Sequence, residues 1–121
     1  MGEGGSMADV FDKEAALERV DNDVDLLKEL VLICQSEFAN KIPEMRAAQA
    51  AGDTKKVSEI AHSLKSAFGN VGAMLGHQAA FALEMASKKG SQPELPDLIA
   101  KFERAVGEFF LAFQDEEKKF K

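Results

Sequence analysis

The chain has no tryptophan, no tyrosine and a single cysteine in its 121 residues. One cysteine excludes an internal disulfide and suits a reducing compartment. The aromatic content is nine phenylalanines, rings without a polar handle, which fits a plain apolar core. Only three prolines interrupt the chain, so long helices can run. No run approaches the eighteen or so continuous apolar residues of a membrane span. Cations are outnumbered, with 15 Lys and Arg against 21 Asp and Glu and a net charge of −6. That balance argues against general nucleic-acid binding, which needs a basic surface, and against docking on anionic lipid. A phosphate-cradling GxxxxGK[ST] loop is missing, and with it a nucleotide site of that kind. Met1-Gly2-Glu3-Gly4-Gly5-Ser6 has neither the positive charge nor the apolar run of a signal peptide. Residues 1–6 read as a disordered, tag-like segment, residues 7–121 as one domain, and the protein as cytoplasmic.

What is present is helical periodicity. Asp12 is placed to cap a short helix through about Val20, with Leu17 and Val20 inward. A second helix starts near Asp23, where Val24, Leu27, Val31, Cys34 and Phe38 recur at three and four. Cys34 on that stripe reads as a small buried hydrophobe. Helix formers flank Pro43, so one kinked helix to about Ala51 is expected. Gly52-Asp53 then supplies a stop and a cap for a third helix, about Thr54 to Phe68. Gly69, Asn70 and Gly72 mark a tight connection. A fourth helix, about Ala73 to Lys88, offers Leu75, Ala79, Ala82, Leu83 and Ala86 as a slim packing face. After a loop from Ser91 to Pro96, the last helix runs from about Leu95 to Lys118, with Leu95, Leu98, Phe102, Val106, Phe109 and Phe113 inward. Most of the Met and Phe residues are expected as core fillers. The fold class is all-α: an antiparallel four-helix bundle with a short additional N-terminal helix over one end.

One histidine breaks the pattern of the third helix. Val57, Ile60, Ala61, Leu64, Phe68 and Val71 form its apolar stripe, and His62 falls about 140° from Val57 at about 100° per residue. The helix that builds the core therefore holds an imidazole toward water, with Lys65 one turn on. An unperturbed imidazole, with a pKa of about 6.5, is a competent nucleophile near neutral pH. Ser66 and Gly69 leave room for a large partner to approach. Lys65 is expected to face solvent. Lys55 lies on the same side, two turns earlier, and reads first as a solvated lysine. His77 reads as a surface or half-buried residue.

His62-Ser63-Leu64-Lys65-Ser66, then Gly72-Ala73, then Leu83-Glu84, resembles the signature of histidine-containing phosphotransfer (HPt) domains. The likeness spans roughly residues 9–115, and one departure is Ser66, where the family most often has glycine. The resemblance implies a four-helix phosphocarrier of two-component signalling, not an enzyme and without kinase activity of its own. It implies a phosphoryl group taken by His62 from an aspartate on one receiver domain and passed to an aspartate on another. The partners implied are response-regulator receiver domains and a hybrid sensor kinase. No nucleic acid, membrane, metal or cofactor is implied, Mg²⁺ being expected only on the receiver, and the carrier would be a monomer.

Residue by residue, the resemblance makes His62 the acceptor and Lys65 a cation offsetting the phosphoryl charge. It makes Glu84, on the next helix, the acceptor for the second ring nitrogen. Ser66, Gly69 and Gly72 would keep the ring accessible, and Ser58 and Lys55 would lie on the docking face. The first alternative is a helical adaptor with the HPt fold and no transfer. The second is a metal-carboxylate bundle, since Glu59-Ile60-Ala61-His62 fits Glu-x-x-His. But Met74 stands where His77 would need a glutamate, and His62 points outward.

Overall fold

The computed structural model describes residues 7–120. The segment 1–6 lies outside the described residues. The described chain is helical, with no strand: α1 Met7–Val10, α2 Lys13–Arg19, α3 Val24–Ala50, α4 Thr54–Asn70, α5 Met74–Lys88 and α6 Leu95–Glu117, the last preceded by a 3₁₀ turn, Gln92–Glu94. Helices α3 to α6 form the antiparallel bundle. The expected single N-terminal helix is two short ones.

Aspartates start three of these helices. Asp12, Asp23 and Asp53 each accept, at 3.1 Å, the backbone N–H three residues on, satisfying a donor that the first turn leaves free. Pro43 does not divide α3, which is one continuous element. Between α2 and α3 the turn uses Asp21 and Asn22 in left-handed conformation, at φ 54° and 63°, which short polar side chains tolerate.

The turn from α4 to α5 rests on Gly72 alone. Gly69 and Asn70 remain helical, and only Gly72 has positive φ, at +77°. It also lies against the N-terminal segment. Asp12 donates its N–H to the Gly72 carbonyl at 2.8 Å, and a Cβ on Gly72 would come within 2.6 Å of the Asp12 carbonyl oxygen. This contact seats α1 and α2 on the end of the bundle. There Phe11 meets Phe109 and Phe113 edge-on, both at 5.5 Å between centroids. Deeper in, Phe68 and Phe102 are fully buried and stand 5.9 Å apart, with Phe38 edge-on to both. Each such pair adds about 0.5–1.5 kcal/mol beyond its buried area.

Two packing expectations need correction. In α5 the buried positions are Gly76, Ala80, Leu83, Glu84, Ala86 and Ser87, whereas Ala82 is exposed and Leu75 and Ala79 half-buried. So many of its residues are small and apolar that the sequence defines no sharp stripe. In α6 Ile99 takes the fully buried place and Leu98 is half-buried. Phe81 and Met85, both exposed on α5, stand outside the core-filling majority of Met and Phe residues. Cys34 is buried as expected. Its Sγ donates to the Ala67 carbonyl at 3.4 Å, and burial, then Glu37, push the thiol up to about 11.

Candidate functional site

His62 sits midway along α4, on the side away from the core stripe, and its side chain is 63% exposed. Glu84, on the facing helix, is the reverse case: a carboxylate with 5% of its side chain exposed. The two meet, with His62 Nδ1 2.9 Å from Glu84 Oε2. An ionised carboxylate can only accept, so Nδ1 carries the hydrogen and donates. The other ring nitrogen, Nε2, then keeps its lone pair.

A buried carboxylate stays charged only if it is compensated. Here Lys65 Nζ lies 2.9 Å from Oε1, and Lys88 Nζ lies 3.2 Å from Oε2. The Lys65 contact, followed by those of Lys88 and His62, outweighs the desolvation that opposes it and holds Glu84 at about 2. Glu84 is therefore ionised at any physiological pH. With a neutral imidazole the cluster holds two cations against one anion, a local positive excess on a chain whose net charge is −6.

The expectation that Lys65 faces solvent is wrong. Its side chain is 19% exposed, bound to Glu84, with its ammonium 5.2 Å from the centre of the Phe81 ring. Helical spacing placed it correctly one turn from His62 but could not show that α5 covers it.

The other expected site residues separate. Ser66 is exposed beside His62, and Lys55 is exposed on the same helix. Ser58 is buried, which removes it from any docking face. It falls toward α5, where it borders a shallow hollow with Thr54, Lys55, Glu59, Ser87 and Lys88. Gly69 does not serve access to His62. A Cβ there would lie 2.8 Å from His77 Nδ1, so the glycine makes room for a second histidine. Gly72 is buried in the turn and serves the backbone, as described above.

Two participants were missed in the sequence. Lys88 stands at i+4 from Glu84, a favourable order for a helical ion pair, but the same pairing occurs on many solvated helices. His77, half-buried, has its Nδ1 3.0 Å from the Lys65 carbonyl, and as donor there it ties α5 to the histidine helix. Nothing in its spacing announces that contact. Among the described residues no three His, Cys, Asp or Glu side chains gather to hold a metal ion, and no helix is long and apolar enough to cross a membrane.

The family model for the Hpt domain matches residues 29–112. The chain belongs to the Hpt-domain family. This Hpt domain is also similar to a solved structure, the histidine-containing phosphotransfer protein B (HptB) from Pseudomonas aeruginosa PAO1. The two share 25% identity with a TM-score of 0.75, over 92% of this chain and 96% of that one. Comparison with curated protein sequences gives no match. The family and the helical bundle make this Hpt domain a histidine phosphotransfer protein of two-component signalling, a phosphocarrier rather than an enzyme, whose kind of partner is the receiver domain and the kinase.

Proposed function

We propose that this protein relays a phosphoryl group between receiver-domain aspartates through a phosphohistidine at His62. The observation that carries the reading is the hydrogen bond from His62 Nδ1 to an ionised, buried Glu84 in a ring otherwise open to solvent. It fixes one tautomer and leaves Nε2 free to attack. In the accepting step the Nε2 lone pair forms the N–P bond as the P–O bond to the partner's aspartate breaks. The aspartate leaves with the electron pair as a carboxylate. The ring, still holding its Nδ1 proton, becomes cationic, and Glu84 faces that charge. In the donating step the N–P bond breaks toward a second aspartate, and the ring returns to neutral without moving the Nδ1 proton. No base is needed in either direction.

A receiver reaching Nε2 also covers the surface around it. Lys28, Leu32 and Gln35 of α3 face α6, lining a hollow with Phe110 and Phe113. Leu26, Leu30 and Ile33 therefore fall on the opposite flank, toward α4, and Leu26 and Ile33 are exposed. This apolar flank beside Ser63 and Ser66 is the docking face we assign. The reading has the protein act as a cytoplasmic monomer without kinase activity or a cofactor of its own, Mg²⁺ belonging to the receiver.

The test is incubation with phosphorylated receiver domains, following acid-labile, base-stable label on this chain. The parent protein is expected to become labelled, and His62→Gln to fold and stay unlabelled. Label on the variant would remove His62 from the role. A parent that binds receivers yet never becomes labelled would instead be an adaptor.

A further inference from the structure

Lys65 and Lys88 reach the same buried carboxylate but are not held alike. Lys65 is 19% exposed, its ammonium lies between Glu84 Oε1 and the Phe81 ring, and its own carbonyl faces His77 Nδ1. Moving it away would strip Oε1 of its counter-charge in a buried setting. Lys88 is 57% exposed and holds Oε2 at a longer 3.2 Å. It shares that oxygen with His62 Nδ1, at 2.9 Å, which keeps the two nitrogens within about 6 Å of each other. It also borders the open hollow that runs past Ser58 to Lys55, so its ammonium has space in which to move.

Phosphorylation changes the demand on these two cations differently. The cationic ring strengthens its own hydrogen bond to Oε2, which weakens the call on Lys88 there. At the same moment a group with about two negative charges arrives next to the ring. Lys88 can leave Oε2 and follow the new charge, because Nδ1 and Lys65 still compensate Glu84. Lys65 cannot do so without leaving Oε1 bare.

We propose that the two lysines divide their roles: Lys65 is a positioning residue that fixes Glu84 and through it the imidazole, and Lys88 is the cation that meets the phosphoryl group on His62. This rests on the phosphocarrier reading, and it departs from the resemblance, which gives the phosphoryl charge to Lys65.

The test needs no cognate receiver. The full chain is treated with phosphoramidate, a small anionic phosphoryl donor, and uptake at His62 is followed by phosphorus NMR. The imidazole nitrogen shifts of the unphosphorylated protein report the tautomer. Lys88→Met is expected to take up phosphoryl about five-fold more slowly, with an unchanged tautomer pattern, and Lys88→Arg to recover most of the rate. Lys65→Met is expected to weaken the Nδ1–H preference in the nitrogen shifts. Uptake by Lys88→Met at the parental rate would overturn the division, as would a Lys65→Met protein with the parental tautomer and the larger loss of rate. A parent protein that acquires no label at His62 would strike the phosphocarrier reading itself, whatever the lysine variants did.

Discussion

Gly69 and His77 fit together across two helices, the glycine on α4 leaving the space that the imidazole on α5 fills. A methyl group on Gly69 would lie 2.8 Å from His77 Nδ1, the atom that faces the Lys65 carbonyl at 3.0 Å. Gly69→Ala gains helix propensity of about 1 kcal/mol but forces the ring aside, at about 1–3 kcal/mol for overpacking. A net loss of about 1 kcal/mol is expected in urea denaturation. The double variant with His77→Ala should be less destabilised than the sum of the two single changes. Strict additivity would show that the two residues do not share this space.

Glu84 makes stability depend on acid. Its folded pKa, about 2, lies below the ordinary 4.5, so its contribution is fully present above pH 4.5 and is lost as pH falls through 2. That contribution is on the order of 3 kcal/mol. Between pH 5 and 2 the parent should lose about that much more stability than Glu84→Gln, which has no proton to gain. Parallel acid-unfolding curves would count against the ionised, compensated carboxylate.

Lys65→Ala should cost about 1–2 kcal/mol, because it leaves a buried carboxylate short of a partner. Chemical denaturation measures this directly. A change below about 0.5 kcal/mol, the usual figure for an isolated surface residue, would mean that Lys65 is solvated after all.

Ser66→Trp places a ring beside His62 without touching the core stripe. Transfer from a receiver should be blocked and receiver binding weakened, with little effect on thermal stability. Lys101→Trp, an equally large change at an exposed position on α6, should do neither. Normal transfer by the Ser66 variant, or failure of the Lys101 variant alone, would put the docking face on another side of the bundle.

The sequence was most legible where one helix face is sharply apolar. Leu27, Val31, Cys34 and the α4 stripe are buried as their spacing implies, because long side chains at three and four leave little choice of face. Helix α5 was harder to read, since alanines and Gly76 face both ways and only packing chose between them. The placement of His62 outward and of Glu84 on the next helix was readable, the first from periodicity and the second through family resemblance. Depth was not readable. Ser58 and Lys65 lie on the polar side of α4, yet the close approach of α5 covers them. Gly72 and Gly69 looked like devices for access, but their missing Cβ atoms serve the Asp12 carbonyl and the His77 ring.

His62 with Glu84, Lys65 with Glu84 and His77 with the Lys65 backbone join α4 to α5 through successive turns. A hairpin so tied before it is loaded has little backbone left to rearrange when the load arrives. On the proposed relay it would offer nearly the same face to the protein that delivers and the protein that collects. On that relay such a carrier would work like a coin rather than a ratchet: it would pass either way, with the direction of traffic set by the relative stability of the two acyl phosphates it connects. Amide shifts on loading should accordingly stay near His62 on α4 and α5. Shifts spreading through α3 and α6 would mean that the bundle itself takes a side.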